Sequence, residues 1–200
     1  MVVSVMIVNL QLPAQTLKDY IAYARANPGK LTNGNSGAGS SPYLAMELFK
    51  LAMKIDVTAV SYKGSPPALA DLIGGQISSS VQTVPAALPA IQSGRVRAMA
   101  VTSLKRIPQL PDVPTVAETV AGYEASAWFG VGMQKGAPAA NIAKLNREIN
   151  AILRTADVRE KLAAQGAEVA VSTPEEFAAL MRREIQKWGK VTSGLKLQLQ

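Results

Sequence analysis

The sequence predicts an α/β protein built on a mostly parallel β-sheet. Three observations lead there. Short apolar or alternating runs such as "DVTAVSY" and "VRAMAVTS" trade places with stretches whose apolar residues fall at helical spacing, the rhythm of βαβ units. Gly- and Pro-rich turns sit at the joints between them. The 200-residue chain is 48% hydrophobic but only 5% aromatic, an Ala- and Val-rich composition that suits helices laid on a sheet better than an all-β fold.

Each element has a local justification. "VVSVMIV" reads as a strand from Val2 to Val8, stopped near Pro13. "QTLKDYIAYARANPGK" carries Leu17, Ile21 and Ala24 on one helical face, with Thr16 as N-cap and the "NPG" at 27–29 as its stop. "KLTNG" is a short strand leading into the glycine loop "NGNSGAGSSP". The helix "PYLAMELFKLAMK" follows, with Leu44, Leu48, Leu51 and Ala52 on one face, Ser41 as cap and Pro42 at the first helical position. The unit then repeats: strand "DVTAVSY", loop "KGSPP", and a helix begun by Pro66 or Pro67 behind Ser65 and ended at Gly74-Gly75. Strand "QISSSVQT", a short helix ending at Gly94 and strand "VRAMAVTS" complete the series.

From Leu104 the texture changes. A proline-rich linker precedes a short helix, and "GYEASAWFGVGMQ" reads as a long strand crossing between lobes. Helices at 138–153 and 156–165 and a strand "AEVAVS" follow. The last helix opens with a capping box, Thr173 with Glu176, and Pro174 at its first position. "MVVSVMIVNLQLP" has neither a charged leader nor a small-residue cleavage site and is too short to span a membrane. A chain that starts directly inside a hydrophobic strand leads us to expect a preceding segment.

The missing residue types narrow the chemistry. With no Cys there is no disulfide frame, thiolate nucleophile or Cys-based metal site, and with no His there is no Ser-His-Asp triad. We expect no catalytic residues, no metal and no cofactor. The formal charge of +7 is spread over Lys and Arg that often neighbour acids, as in "KLNREI" and "DVREKL", and reads as a solvated basic surface. Without a basic run or an aromatic-studded strand, nucleic acid is not expected as a partner.

The glycine loop is the principal candidate site. The first N–H groups of a helix lack intrahelical partners, the helix dipole places partial positive charge there, and glycines let a loop curl several N–H groups around one oxyanion. Three sharper motifs fail. "GAGSSP" has no P-loop Lys, Gly34, Gly37 and Gly39 reverse the dinucleotide spacing, and "GNSGA" misses the nucleophile elbow by one position. "SLK" at 103–105 and "SGLK" at 193–196 are rejected as Ser-Lys pairs by spacing and by position in the tail. "SYKGSPPAL" is a second strand-to-helix turn of the same type, to which Lys63 adds a full charge, and "SVQTVP" brings Gln82 and Thr83 to a third strand end. In an open parallel sheet these ends share one edge, where ligands bind. Trp128 and Phe129 read as core rather than as cleft lining. An α/β enzyme or nucleotide- or phosphate-binding domain, and a non-binding structural remnant, are the competing readings.

In order along the chain, "SGAGSSP", "YKGSPPALADLIGGQ", "LPAIQSGRVRAMAVTSLKR", "LPDVPTVAET" and "LAAQGAEVAVSTPEEFAALMRREIQKW" closely resemble the Bug, or TctC-like, substrate-binding receptors of tripartite tricarboxylate transporters. The resemblance runs from about residue 5 to about residue 195. It implies a periplasmic-binding-protein-like fold in which a small mono- or dicarboxylate is held between two lobes and delivered to membrane transporter subunits. Carried over by position, it implies ligand contacts from Ser36, Gly37, Ala38, Gly39 and Ser40, from Tyr62, Lys63, Gly64 and Ser65, and from Gln82 and Thr83. Three positions depart from the family pattern: Tyr43 stands where His is frequent, and Ser78 and Gln82 stand where Asp is common.

The resemblance also implies about a hundred further residues in front, a domain's worth of chain carrying the secretion signal and the first lobe's core strands. The division expected is an N-terminal crossing strand at 1–12, a complete Rossmann-like parallel-sheet lobe at 13–112, and the linker, crossing strand and C-terminal part of the other, incomplete lobe at 113–200. Two expectations follow for this chain. It should bind a small acid weakly by itself, and it should self-associate to cover the helices left bare.

Overall fold

A computed structural model describes residues 2–164 and 166–193. Within them the chain divides into two compact units, Val3–Ala127 and residues 128–193 together with Val2. Each is described separately.

The first unit is a five-stranded sheet with helices on both faces. Its strands are β1 (Ser4–Val8), β2 (Thr32–Asn35), β3 (Thr58–Ser61), β4 (Ser79–Thr83) and β5 (Arg97–Val101), in the spatial order β3-β2-β4-β1-β5. β2 pairs in parallel with β3 and β4, whereas β1 runs antiparallel to both β4 and β5. Four strands therefore share one direction, and the mostly parallel sheet holds with one reversed strand near its middle. β1 is buried at every position, which is why its sequence is a nearly unbroken apolar run rather than an alternation.

The helices are α1 (Leu17–Ala26), α2 (Ser41–Met53), α3 (Ser65–Ile73) and α4 (Val84–Gln92). Thr16 caps α1 in a reciprocal capping box with Asp19. The caps of α2 and α3 each sit one residue earlier than the sequence suggests. Ser40 rather than Ser41 caps α2, and Gly64 rather than Ser65 precedes α3, so the prolines begin at the second helical position. Val5 and Ile7 of β1 pack with Leu72, Ile77, Val84 and Ala87 on the α3/α4 face. On the other face the Tyr20, Phe49 and Tyr123 rings meet in sequence, the first pair tilted and the second edge to face, with centroids 6.4 and 6.2 Å apart. There the Tyr20 hydroxyl and Asn33 Nδ2 both donate to Ser79 Oγ, which itself donates to the Thr32 carbonyl. This fully partnered network pins the β2–β4 register.

In the second unit α5 (Ala139–Leu153), α6 (Ala156–Ala164) and α7 (Pro174–Thr192) match the expected helices, with the Thr173–Glu176 capping box in place. Among the described residues "AEVAVS" forms a single antiparallel bridge, between Ala167 and Val2. The long run at 122–134 is extended, but among the described residues it joins no strand ladder. Its pattern satisfied the period of a strand, and a strand also needs a partner. Asn146 and Asn150 donate to the Ser172 carbonyl, and Trp128 meets Phe177 edge to face at 5.4 Å.

Candidate functional site: two amide-lined loops at one sheet edge

β3, β2 and β4 are neighbours and co-directional, so their carboxyl ends lie along one edge. Loop 36–40 leaves β2 and opens α2, and loop 62–64 leaves β3 and opens α3. The first curls through Gly37 at φ 127°, and the second turns at Gly64 with φ 101°, conformations that favour glycine at both places. A Cβ added at Gly37 would lie 3.8 Å from the Tyr62 carbonyl oxygen, so the loops run side by side.

Few of the loop amides are used by the protein. Ser40 N–H donates to the Gly37 carbonyl and Gly37 N–H to Asn35 Oδ1. Among the described residues, the N–H groups of Ser36, Ala38, Gly39 and Ser41 in one loop, and of Lys63, Gly64 and Ser65 in the other, have no protein acceptor. These are the donors an oxyanion requires, placed where two helix dipoles add positive potential. Ser40 Oγ accepts from Tyr43 N–H at 3.4 Å and from the Ser36 hydroxyl at 3.4 Å, so both hydroxyls are already part of the loop's own frame. Lys63 is exposed and supplies charge to the same edge.

The remaining expected residues lie differently. Tyr62 turns away from the loop mouths: its ring covers Gly34, where a Cβ would meet it at 3.2 Å, and its hydroxyl donates to Asp71 Oδ2 at 2.7 Å. Burial, and then the Asp71 carboxylate, push the Tyr62 hydroxyl up to about 12. Thr83 caps α4 without a side-chain bond, the second helical position being Pro85 with no N–H to offer, and the Val84 N–H is taken by the Val3 carbonyl. Gln82 is 0% exposed. It stands opposite Val5 in the β1–β4 ladder, so its side chain faces the α3/α4 layer beneath the edge. Its Nε2 donates to Ser80 Oγ, which donates to the Gly34 carbonyl, while Oε1 is buried without a partner. The structure thus brings Ser36–Ser40 together with Lys63–Ser65 and sets Gln82 below them.

The comparisons with known proteins decide the family. The model of the tripartite tricarboxylate transporter family receptor, TctC, matches residues 1–197. The chain belongs to that family. It is 38% identical to the protein BugT of Bordetella pertussis over 198 residues, covering 96% of this chain and 60% of BugT. The structure of R. palustris Rpa4515 with adipate is similar at 38% identity and a TM-score of 0.83, covering 96% of this chain and 64% of that one. MatC from Rhodopseudomonas palustris, with bound malate, is similar at 31% identity and a TM-score of 0.76, over 95% and 66% of the two chains. This TctC-family chain therefore spans less than two thirds of the length of these relatives.

Sequence reasoning missed Asn35. It is 1% exposed and lies within the glycine stretch, one residue before the expected ligand contacts, yet it bonds residues of both loops. Its only signal in the sequence was an Asn directly before Ser-Gly, which reads as ordinary turn chemistry.

Proposed function

We propose that the protein is a periplasmic solute-binding receptor, or part of one, that captures a small organic mono- or dicarboxylate and delivers it to a tripartite tricarboxylate-type membrane transporter. It carries out no reaction. The observation that carries this reading is the pair of adjoining loops whose seven N–H groups have no acceptor among the described residues. Family membership and the adipate and malate held by two similar receptors support it. Ser36–Ser40 and Lys63–Ser65 hold the carboxylate, Tyr62 shapes the second loop, and Gln82 and Thr83 form the floor. No helix among the described residues is long and apolar enough to cross a membrane.

Magnitudes set the expected strength. Micromolar binding corresponds to about −8 kcal/mol. A helix N-terminus offers an anion about 0.3–2 kcal/mol and each charge-assisted hydrogen bond about 1.5–3, against roughly 4 kcal/mol or more for immobilising the ligand. With water competing at the open loops each gain falls at the low end of its range, and a single loop pair then holds an acid weakly. Calorimetry and thermal shift with adipate and malate should therefore show weak binding by the 200-residue chain and micromolar binding once the further segment carried by relatives is joined to it. Stabilisation by nucleotides with none by carboxylates would overturn the reading.

The second unit bears on assembly. Nine of the twelve large hydrophobics exposed among the described residues lie in 129–185, including Phe129 at 86% and Ile185 at 72%. Over a third of the length of the matched proteins lies outside the part this chain covers. In the chain as it stands, a second copy covers this face.

A further inference from the structure

One residue ties the first loop to the strand that feeds the second. Asn35 ends β2, and its carboxamide is used at both atoms: Oδ1 accepts the Gly37 N–H at 3.0 Å inside its own loop, and Nδ2 donates to the Val60 carbonyl of β3 at 3.2 Å. Its backbone carbonyl accepts the Tyr62 N–H at 3.0 Å, at the start of the second loop. With 1% exposure it has no freedom to trade these partners for water. The surroundings fix the same junction from other sides. The Tyr62 ring lies on Gly34, where any Cβ would collide with Ile77, and the Tyr62 hydroxyl is tied to Asp71 of α3.

We infer that Asn35 is a positioning residue that couples the two loops, holding their free N–H groups at one fixed separation. The inference rests on the anion-receptor reading for its purpose, but the coupling itself is a property of the ligand-free chain. A carboxylate's two oxygens lie a fixed distance apart, and N–H donors on two independent loops would each have to be ordered on binding. A buried carboxamide that belongs to one strand and bonds the next removes that cost in advance. An amide suits the position better than an acid. A carboxylate at 35 would keep the Gly37 contact, lose the donor to Val60 and place negative charge behind the anion site.

The test uses the full chain and three variants. In Asn35→Ala, amide hydrogen exchange should quicken at least about tenfold at Gly37, which loses its acceptor. It should quicken similarly at Tyr62, whose own acceptor, the residue-35 backbone carbonyl, is untouched. Loss of protection at Gly37 alone would overturn the coupling. In Asn35→Asp, Gly37 should stay protected while Tyr62 loses protection, and unchanged protection at Tyr62 in that variant would equally overturn it. Tyr20→Phe, which removes a buried hydrogen bond to Ser79 of β4 and touches neither loop, is the control for general destabilisation and should leave both amides protected. Adipate titrations should fall at least about tenfold in affinity for both Asn35 variants and stay unchanged for Tyr20→Phe. An equal loss in all three would reduce Asn35 to a structural role. If the unaltered chain binds neither adipate nor malate, even with the relatives' further segment attached, the receptor reading fails while the exchange measurements still decide the coupling.

Discussion

The two units of this chain contain helices of similar local quality and very different fates. α1, in Val3–Ala127, has a capping box and buries Leu17, Tyr20, Ile21 and Ala24. α7, in the second unit, has the same capping box and is nearly twice as long, yet buries only Val191, and α5 and α6 bury nothing. Caps, propensity and spacing decide whether a helix forms. Whether its apolar face finds a partner depends on chain elsewhere.

The largest effect that tests this contrast comes from trimming one apolar residue in each unit. Phe49→Ala, in the aromatic row, should cost about 3–5 kcal/mol in urea denaturation. Ile185→Ala, measured on chain dilute enough to be monomeric, should stay within about 0.5 kcal/mol. A comparable loss there would mean that the Ile185 face is packed within the single chain. Ile185→Glu sharpens the point, since it should convert an associating chain to a monomer by light scattering without altering the sheet unit.

A smaller effect is expected at Gln82. Its Oε1 is buried unpartnered, and Ser80 keeps its own bond to Gly34 when the amide is removed. Gln82→Leu should therefore raise stability by about 1–3 kcal/mol. A loss instead would show that the amide has a partner in solution, for which an ordered water is the natural candidate.

The smallest effect is a pH dependence. The Arg106 guanidinium, and then the Thr115 backbone N–H, hold the Glu118 carboxyl well below the usual range, at about 2. A carboxyl depressed in the folded state adds stability above its unfolded value of 4.5, and that stability drains away as pH falls towards about 2. The difference in thermal midpoint between the chain and Glu118→Gln should be constant above pH 5, by about half a unit's margin, and should close in acid. A difference that persists unchanged below the lower value would refute the assignment.

Much of the fold was legible because its signals are local. Thr16, Thr173 and the glycine stops named their helix ends, and the alternation of strands with helices gave the layer order. What failed was information held in pairs. Nothing in "SVMIV" says that it runs against both neighbours, and nothing in 122–134 says that it joins no strand ladder among the described residues. The site divides along the same line. The glycine loops could be read from composition, whereas the bond that commits the Tyr62 hydroxyl to Asp71 could not. Asn35 escaped notice because both its roles are defined by residues on other segments.

The reversed strand has a consequence during synthesis. β1 leaves the ribosome long before β4 and β5, the only strands it pairs with. At translation speeds of about 5–20 residues per second, a segment of unbroken β-prone apolar character must wait for seconds without its neighbours. The β3-β2-β4 ladder can zip as it emerges, so the first strand of this sheet to be made is seated among its last. Shelter for β1 until β4 and β5 arrive would do more for the yield of this folded sheet than later assistance.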